Sequence, residues 1–505
     1  MSDHEEKPAQ ASSSAAVNGN FIAKQTRRLL AICDQLESID LDSYLKVGGY
    51  RGLKQALARS PQQVVAQIAA AGLRGRGGGG FPTARKWEVC RREKSAEKYL
   101  IGNCNEGGPG AYMSRFLVAN NPHAIIEGLL IGAYAIGAGQ GYVFIRPEYG
   151  DAVIAIKQAI AQAREKGYLG SGIMGRRFDF ALDLKFSPGE FICGEETALI
   201  ACIEGRRAMP TAKPPHPAQK GLWGKPTIIN NAETYANIGP IMARGSDWFR
   251  ELGAGQSKGT KIFAVTGNVK HSGLLEAPLG VSLRYILDDI CGGMEKKTRK
   301  LKAVQVGGPT GGVIPASLCD TPVDYDPLKN LGAMLGPGGM IVMDEGVCMV
   351  EMARYFLAFS ADESCGKCTP CRIGLKTIQE ILTRITEGRG REGDLELLTE
   401  LAEDVSWSSL CGLGRTAPNA LLSSLRYFRA EYETHIRDRR CPTAGCVALR
   451  RYLVAAERCK KCGQCQPACP AAAISWQKKQ VAQIDRDNCI KCGSCYEACP
   501  FGSID

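Results

Sequence analysis

The spacing of apolar positions changes character three times along this 505-residue chain. Residues 21–45 form an amphipathic segment, and residues 46–245 alternate helical stretches with short apolar runs such as KYLIGNCN and GYVFIRPEY, which predicts an α/β domain. In residues 246–340 the apolar runs TKIFAVTGNV, AVQVGGPTGG and GMIVMDE are separated by glycine turns and predict a small β-rich domain. Residues 341–435 return to helical periodicity, as in VCMVEMARYFLAF and IGLKTIQEILTRI, and predict a helical bundle.

Neither the start of the chain nor its longest apolar stretch predicts a membrane segment. The opening run, MSDHEEKPAQASSSAAVNGN, is polar, so we expect a disordered tail within residues 1–45 rather than a signal peptide. Residues 129–145 are apolar but are interrupted by Gly137, Gly139 and Gly141. They predict a helix, a turn and a strand, and no transmembrane span.

The chain holds 22 cysteines, many of them in CxxC spacing. In a chain of this length that pattern favours metal or redox chemistry in a reducing compartment over a disulfide framework, so we expect a cytoplasmic protein. The formal charge of +11 comes from scattered basic residues, which favours a docking surface for another protein over binding to nucleic acid.

The clearest chemical signal is a repeat within residues 455–505. AERCKKCGQCQPACPAAAI and RDNCIKCGSCYEACPFGSI align cysteine for cysteine, and each is a C-x2-C-x2-C-x3-C-P run. In such runs three thiolates bind one 4Fe-4S cluster and the fourth binds the other, whereas a zinc module does not need two runs closed by Cys-Pro. We therefore predict a ferredoxin domain with one cluster on Cys459, Cys462, Cys465 and Cys499 and a second on Cys489, Cys492, Cys495 and Cys469.

A third group of cysteines lies in the predicted bundle. ESCGKCTPCR supplies Cys365, Cys368 and Cys371, and WSSLCGLG supplies Cys411. Three thiolates from one loop and a fourth from a distant segment can hold a third 4Fe-4S cluster, with zinc as the alternative occupant.

A linker at residues 436–454 separates the predicted bundle from the ferredoxin domain. Its first residues, together with His435 before it, read HIRDRRCPTAGC. His435, Cys441 and Cys446 suit tetrahedral zinc, but zinc needs a fourth ligand that the local sequence does not supply. Exposed or capped thiols beside a turn are an equally good interpretation. The eight other cysteines lack ligand spacing, so we predict small core residues at Cys33, Cys90, Cys104, Cys193, Cys202, Cys291, Cys319 and Cys348.

A glycine-rich loop at 72–87, GLRGRGGGGFPTARKW, has glycines at GxGxxG spacing. A dinucleotide fingerprint requires a strand before the loop, yet Ser60-Pro61 predicts a helix there, and a second helix is predicted from about Thr83. The loop fails that test. It can still approach a phosphate of another nucleotide, or be only a flexible turn.

Five segments in this order resemble one family: GLRGRGGGGFPTARKW, GNCNEGGPGAYMSR, FICGEETALIACIEG, GKPTIINNAET and ESCGKCTPCR. Together they are similar to the FMN- and NADH-binding subunit of respiratory complex I and its soluble relatives in NAD-linked hydrogenases and formate dehydrogenases. The ferredoxin domain and the His/Cys segment resemble the β-subunits of electron-bifurcating hydrogenases. The resemblance implies a multidomain α/β protein: a Rossmann-like FMN/NADH domain, a β-grasp (SLBB-type) domain, a helical bundle with a 4Fe-4S site, and a domain with two 4Fe-4S clusters.

The resemblance also assigns ligands. It implies that FMN contacts Gly75, Arg76, Gly77, Lys86, Asn103, Glu106, Gly194, Glu195, Glu196, Asn230 and Asn231. For NAD(H) it implies that Phe81 stacks on adenine, that Glu106 lies near the nicotinamide, and that Glu195 faces the adenosine ribose. A carboxylate there favours NAD over NADP because it repels a 2′-phosphate.

Three positions depart from the family pattern. Asn105 and Gly108 replace two carboxylates in the motif N-A-D-E-x-E/D-P-G, and Phe191 replaces the tyrosine before I-C-G-E-E. These changes reduce negative charge around the flavin, which tends to raise its potential, and they remove polar contacts from the nicotinamide site.

The function that the resemblance implies is an NADH dehydrogenase of the diaphorase type. Hydride is exchanged between NAD(H) and FMN, and single electrons pass through three 4Fe-4S clusters to partner subunits. The expected partners are a small thioredoxin-like 2Fe-2S subunit and either a catalytic subunit, such as a hydrogenase, a formate dehydrogenase or another oxidoreductase, or a ferredoxin. Two alternatives stay open: an electron-transfer adaptor without productive NAD(H) binding, and electron bifurcation from one flavin.

Overall fold

The computed structural model describes residues 19–504, so most of the predicted disordered tail lies outside the described residues. Where one amphipathic helix is expected in 21–45, the chain forms three short ones: α1 (Gly19–Ala23), α2 (Leu29–Gln35) and α3 (Leu41–Lys46). The break before α2 has a tertiary cause. The buried carboxylate of Glu276 accepts hydrogen bonds from the amides of Arg28, Leu29 and Leu30 at 2.9, 3.1 and 2.9 Å and so fixes where that helix begins.

The first large unit is built on a four-stranded parallel sheet in the order β3-β2-β1-β4. Its strands are β1 (Tyr99–Cys104), β2 (Gln140–Ile145), β3 (Ala181–Phe186) and β4 (Thr227–Asn231). The helices of this unit are α4 (Arg51–Leu57), α5 (Pro61–Ala71), α6 (Thr83–Arg92), α7 (Met113–Asn120), α8 (Pro122–Ile136), α9 (Gly150–Glu165), α10 (Glu196–Ile203), α11 (Ala232–Arg244) and α12 (Ser246–Arg250).

Local signals in the sequence set several of these boundaries. Ser60 caps α5 in a reciprocal capping box with Gln63, which confirms the helix predicted before the glycine loop. Helix α8 ends at Ile136 because Gly137 adopts the left-handed conformation with φ of 76°, and β2 follows at once. The predicted order of helix, turn and strand over 129–145 is therefore confirmed.

A five-stranded mixed sheet forms the second unit, in the order β10-β9-β11-β7-β8. Only the β11–β7 pair is parallel within this sheet, and the other pairs are antiparallel. The strands of the region, with a small β5–β6 hairpin, are β5 (Gly253–Ala254), β6 (Ser257–Lys258), β7 (Thr260–Gly267), β8 (Gly273–Pro278), β9 (Leu301–Val306), β10 (Gly312–Pro315) and β11 (Gly339–Asp344). A π-helical turn (Tyr285–Ile290) and α13 (Tyr325–Asn330) pack against the sheet.

Helices follow from residue 349 onward: α14 (Met349–Asp362), α15 (Leu375–Thr386), α16 (Asp394–Ser408), α17 (Gly412–Thr416) and α18 (Asn419–Arg437). Along α15 the buried positions recur every three to four residues, at Leu375, Ile378, Ile381, Leu382 and Ile385. This apolar face packs into a core that also includes β1, β2 and the segment around Ile192.

The last segment has little regular structure. Its elements are β12 (Ile474–Ser475), β13 (Gln483–Ile484) and α19 (Ser494–Glu497). Its buried core consists of Ile474, Ala482, Cys495 and Ile504. Within residues 19–504 no helix combines the length and the apolar character that a bilayer crossing requires.

Candidate functional site

The glycine loop joins α5 to α6 and is anchored from below by Arg76. The Arg76 side chain is fully buried and donates hydrogen bonds to the carbonyls of Arg74, Lys258 and Thr260 at 3.1, 2.6 and 3.1 Å. Its amide donates to the Thr234 hydroxyl at 2.9 Å. The Arg76 guanidinium, which the resemblance assigns to FMN, thus ties the loop to the second sheet.

The rest of the loop turns sharply. The Gly75 amide donates to the Phe81 carbonyl at 2.9 Å, and Gly80 has a φ of +60°, a conformation that costs glycine nothing. A Cβ atom on Gly77 would lie only 3.1 Å from Cβ of Asn231, so glycine at this position lets the loop lie against the end of β4.

Two lysines and two glutamates form a paired cluster at the start of α10. Lys86, from α6, pairs with Glu196 and donates to the Ile229 carbonyl at 2.6 Å. Lys213 lies 2.7 Å from Glu195 and 3.5 Å from Glu196, Nζ to Oε. Burial raises the pKa of Glu196, but the two ammonium groups bring that pKa below its usual value. The cluster therefore holds a carboxylate between two cations.

Sequence reasoning missed Lys213, because no spacing in TAKPP marks it. Only the fold brings this loop against the start of α10. Burial lowers the pKa of Lys213, and the charges of Glu195 and Glu196 outweigh that effect and raise it, so Lys213 stays protonated. This cation offsets the negative charge of Glu195, the residue expected to repel a 2′-phosphate.

Glu195 is also a helix cap. Its Oε2 accepts the amides of Thr197 and Ala198 at 2.8 and 3.1 Å, which satisfies two donors at the N-terminus of α10. Its other oxygen faces Lys213. The carboxylate is therefore already neutralised within the protein.

The asparagines lie at the carboxyl ends of neighbouring parallel strands, where ligands of open α/β sheets bind. Asn103 of β1 stands opposite Asn231 of β4. Asn103 Nδ2 donates to the Gly194 carbonyl at 2.9 Å, and Asn230 Oδ1 accepts from the Trp87 indole at 3.0 Å. Asn231 caps α11 through the Glu233 amide at 2.9 Å. The structure brings these three residues together with the glycine loop and the α10 cluster.

Glu106 has internal partners. Its carboxylate accepts hydrogen bonds from the amide and the hydroxyl of Ser114 at 2.7 and 2.8 Å. Burial raises the pKa of Glu106, and the two Ser114 hydrogen bonds oppose that rise.

Asn105 supplies a direct test of whether a flavin fits. Among residues 19–504 its buried Oδ1 accepts no hydrogen bond, although Nδ2 is 3.4 Å from the Glu190 carbonyl. A buried acceptor without a donor costs about 1–3 kcal/mol, so an external N–H or O–H group suits this position. A Cβ on Gly194 would lie 3.2 Å from the Asn105 carbonyl oxygen, so Asn105 belongs to the same site. An unpaired acceptor beside the glycine loop fits FMN, which offers N–H and O–H donors as well as a phosphate.

Phe81 is exposed for 52 % of its surface and is free to stack on a planar ring. The Arg85 guanidinium lies 5.7 Å from the Phe81 ring centroid. Both residues line a cleft between α5 and α6 that also includes Arg74 and Asp326.

Gly108 and Phe191, two of the positions that depart from the family pattern, both lie against residues from other parts of the fold. A Cβ on Gly108 would lie 3.0 Å from Cδ of Pro309, so a larger side chain there would require the Pro309 ring to shift. The Phe191 ring packs edge-on against Phe359 of α14 at 5.7 Å between centroids. Phe191 therefore ties the flavin side of the molecule to the helices.

The four bundle cysteines converge. Cys365, Cys368, Cys371 and Cys411 line one small cavity together with Ile192. Cys411 is the N-cap of α17, and the Ser364 hydroxyl lies 3.2 Å from Cys371 Sγ. Burial raises the pKa of both Cys371 and Cys411, so these thiols need a metal to hold them as thiolates in this setting. Four sulfur ligands around one cavity suit a 4Fe-4S cluster.

In the C-terminal module, one cavity is lined by the four cysteines predicted for the first cluster, Cys459, Cys462, Cys465 and Cys499. For the second set, burial raises the pKa of Cys495, and the charges of Cys489 and Cys469 contribute to that rise. Cys492 is exposed. In the first set, Cys499 from the second half of the repeat therefore lies beside three cysteines of the first half.

A fourth residue that could bind a metal lies beside the His/Cys segment and comes from outside it. His435, Cys441, Cys446 and Cys348 are all buried, and their ligand atoms lie within 4.8 Å of one another. His435 Nε2 is 3.4 Å from Cys348 Sγ and from Cys446 Sγ, and the two sulfurs are 3.6 Å apart. Ligands of a tetrahedral zinc are separated by roughly 3.3–3.8 Å, so the set fits that ion.

Cys348 is buried, as predicted for a core cysteine, but its sulfur also lies beside His435 and Cys446, which the sequence did not predict. Cys348 is the N-cap residue of α14, 87 residues before His435, and no local spacing could reveal it. A Cβ on Gly445 would lie 3.1 Å from Cβ of Cys348, so a glycine lets the linker approach this close. His435 Nδ1 lies 2.7 Å from the Glu431 carbonyl, which leaves Nε2 facing the sulfurs.

Family models match three parts of the chain: the Nuo51 FMN-binding domain at residues 68–240, the iron-sulfur binding region of NADH-ubiquinone oxidoreductase-F at 351–435, and a 4Fe-4S dicluster domain at 458–503. The NADP-reducing hydrogenase subunit HndC of Solidesulfovibrio fructosivorans is 47 % identical over 90 % of this chain and 93 % of its own length. The F component of NADH-quinone oxidoreductase from Escherichia coli is 41 % identical over 80 % of this chain and 92 % of its own.

The chain belongs to the NADH-quinone oxidoreductase F family. The crystal structure of an NAD+-reducing NiFe-hydrogenase in its H2-reduced state aligns with this chain at a TM-score of 0.71 and 32 % identity, covering 82 % of this chain and 68 % of that one. The FMN-binding model covers the glycine loop, the strand ends and the α10 cluster, and the two iron-sulfur models cover the twelve cysteines assigned to clusters. Membership in this family confirms the resemblance read from the five motifs.

Proposed function

We propose that this chain is the flavin and iron-sulfur subunit of a diaphorase, which exchanges hydride with NAD(H) at FMN and passes single electrons through three 4Fe-4S clusters to partner subunits. One observation carries the proposal. The turn Phe191–Gly194 touches both centres: the Gly194 carbonyl accepts from Asn103 at the flavin site, and Ile192 lines the cavity of the four bundle cysteines. A donor of electron pairs and an acceptor of single electrons therefore share one short segment.

FMN, when bound, supplies the step from two-electron to one-electron chemistry. The residues of the chain position it. With FMN bound, Lys86 would supply positive charge to its phosphate, the glycine loop would let that phosphate approach the backbone, and Asn105 Oδ1 would accept a hydrogen bond from the ring system. The carboxyl groups of Glu196 and Glu106 would contribute to the electrostatic environment of the reduced flavin.

The nicotinamide nucleotide binds along the outer side of the same site in this proposal. Phe81 stacks on the adenine, and the Glu195–Lys213 pair meets the adenosine ribose. Because Lys213 neutralises Glu195, the carboxylate repels a 2′-phosphate less than a free one does. The match to a subunit named NADP-reducing supports testing both nucleotides, although the ribose carboxylate itself favours NAD.

The metal inventory that we propose is three 4Fe-4S clusters and one zinc ion. Zinc on Cys348, His435, Cys441 and Cys446 would have no open coordination position, as is typical of a structural site. It would fasten the linker at 436–454 to the start of α14, between the bundle and the ferredoxin module.

The proposed partners are a small thioredoxin-like 2Fe-2S subunit and a catalytic subunit, such as a hydrogenase or formate dehydrogenase, or a ferredoxin. The names of the relatives, which include hydrogenase and quinone oxidoreductase subunits, support this assembly. The β-rich domain at residues 246–340 is proposed as the β-grasp, SLBB-type unit. Bifurcation of electrons at the flavin shares every residue named above and needs partner-dependent kinetics to test it.

One observation favours the adaptor function as a second candidate. Pro309 crowds the backbone at Gly108, where the family pattern has a carboxylate, and Phe191 lacks the tyrosine hydroxyl. An FMN site with fewer polar contacts to nicotinamide could relay electrons without reacting with NAD(H).

Anaerobic titration of the FMN-loaded protein separates the two candidates. NADH bleaches the flavin absorbance if the chain is a diaphorase. If neither NADH nor NADPH bleaches a flavin that dithionite does reduce, the adaptor function replaces it.

The variant Lys86→Met tests the FMN site itself. Removing this cation leaves Glu196 with one ammonium partner and a bound phosphate with none from α6, so FMN affinity should fall by tenfold or more, equivalent to about 1.4 kcal/mol. Equilibrium dialysis measures the affinity. Lys166→Met, which alters an exposed lysine at the end of α9, is the matched control and should leave it unchanged.

A further inference from the structure

Two of the cysteines without ligand spacing lie side by side. Cys193, in the turn Phe191–Gly194, is fully buried, and Cys202, near the end of α10, is partly exposed. Their sulfur atoms are 3.6 Å apart, and Cys193 Sγ lies 3.3 Å from Oε2 of Glu190. The two thiols are in contact with each other, Cys193 also contacts a carboxylate, and neither thiol belongs to the cysteines assigned to the clusters or to zinc.

One member of the pair, Cys193, lies in the turn Phe191–Gly194, which contacts both the flavin site and the cavity of the bundle cysteines. Cys193 is followed by Gly194, whose carbonyl is bonded to Asn103, and by Glu195, which caps α10. Ile192 precedes it and lines the cluster cavity. Any movement of Cys193 is therefore passed directly to both neighbouring centres.

We propose that Cys193 and Cys202 are a dithiol that forms a reversible disulfide by exchange with a small-molecule disulfide, and that its formation weakens FMN binding. A disulfide bond is about 2.05 Å long, so closing it draws the two sulfurs together by roughly 1.5 Å. That contraction pulls the turn Phe191–Gly194 toward α10 and displaces Gly194 from the position in which it meets Asn103.

The exchange balances in two steps. Cys202, the more accessible thiol, attacks one sulfur of the small disulfide as its thiolate, and the S–S bond of the reagent breaks to release one small thiol. Cys193 then attacks the sulfur of Cys202 in the mixed disulfide and releases the second small thiol. Glu190 is placed to take the proton of Cys193. The protein loses two electrons and two protons, and the small disulfide gains them.

Peptide mass measurement tests the bond directly. Trypsin releases residues 186–206 after Lys185 and Arg206, and this peptide contains Cys193 and Cys202 as its only cysteines. The FMN- and cluster-loaded protein is treated anaerobically with oxidised glutathione, and free thiols are then alkylated. The proposal expects a peptide that is two hydrogens lighter than the dithiol and takes no alkyl group, and that regains both thiols after reduction.

FMN binding provides the second readout, because it does not depend on NADH chemistry. After treatment, the protein should bind FMN with roughly tenfold lower affinity, since binding sites tolerate only about 0.5 Å of displacement. The variant Cys202→Ser should bind FMN equally before and after treatment, and Cys33→Ser, which changes a partly buried cysteine outside the pair, should respond as the unmodified chain does.

Two alkylated thiols in peptide 186–206 after treatment, or a stable glutathione adduct on Cys202, would overturn the proposal. So would a disulfide that leaves FMN affinity unchanged. None of these results bears on whether NADH reduces the flavin, so failure here is distinguishable from failure of the proposed diaphorase function.

Discussion

The bundle and the C-terminal module both place cysteines around a cavity, but the hydrophobic cores that support these cysteines differ in size. Cys365, Cys368, Cys371 and Cys411 sit against the apolar faces of α15 and α16, within a core that continues into the parallel sheet. The C-terminal module has a core of four residues, two of its eight cysteines are exposed, and its longest helix has four residues.

The difference shows what the metal must do in each place. A segment of about 50 residues with so small a core cannot offset the entropy of ordering its chain, so cluster ligation has to supply the stability. The bundle is already folded by apolar packing, and its four thiols are held in place for a cluster that adds function more than stability. The following predictions test this contrast.

Removal of iron should have the largest effect, and only in the module. When clusters are extracted by a chelator under reducing conditions, residues 455–504 should lose all measurable protection of their amides from hydrogen exchange. Helices α14, α15 and α18 should keep theirs, because their packing does not involve iron. Protection of the module in iron-free protein would contradict the comparison.

A matched pair of ligand variants should separate iron content from folding. Cys465→Ser and Cys411→Ser should each lower the iron content by roughly four atoms per chain, since each removes one ligand of one cluster. Only Cys465→Ser should also increase hydrogen exchange in its own module. If Cys411→Ser unfolds the bundle to the same degree, the bundle cluster is structural too, and the contrast fails.

The zinc set should give an intermediate and more local effect. Cys348→Ala should reduce bound zinc from about one ion per chain to almost none, because three ligands cannot close a structural site. Hydrogen exchange should rise in the linker at 436–454 and remain unchanged in α15. Cys319→Ala, at another buried cysteine, is the control and should retain zinc. Full zinc occupancy in Cys348→Ala would refute the four-ligand assignment.

Structural features set by local interactions could be predicted from the sequence, and features set by long-range interactions could not. The helix start at Ser60-Pro61 and the order of helix, turn and strand over 129–145 are local signals, and both appear in the structure as expected. The amphipathic segment at 21–45 breaks into short helices because Glu276, far along the chain, binds the amides at the start of α2. The sequence of residues 21–45 alone does not indicate that interaction.

The candidate flavin site shows the same limit. Its ordered motifs gave the glycine loop, the asparagines and the glutamates, but they did not indicate which groups already have internal partners. The Arg76 guanidinium binds carbonyls beneath the loop, and Lys213 neutralises Glu195. Both contacts depend on how segments distant in the sequence pack together. The spacing of residues along the chain does not predict such side-chain pairs.

By itself the sequence determined the chemistry of this protein, because cysteine runs and a glycine loop are local patterns whose geometry follows from a few consecutive residues. Only the tertiary structure decided which lone residues complete a site, as it did by bringing Cys348 to His435 and Cys202 to Cys193. The physical reason is that burial and packing join helix ends and turns across the fold, and a thiol in the core looks the same in the sequence whether its neighbour is a methyl group or another sulfur.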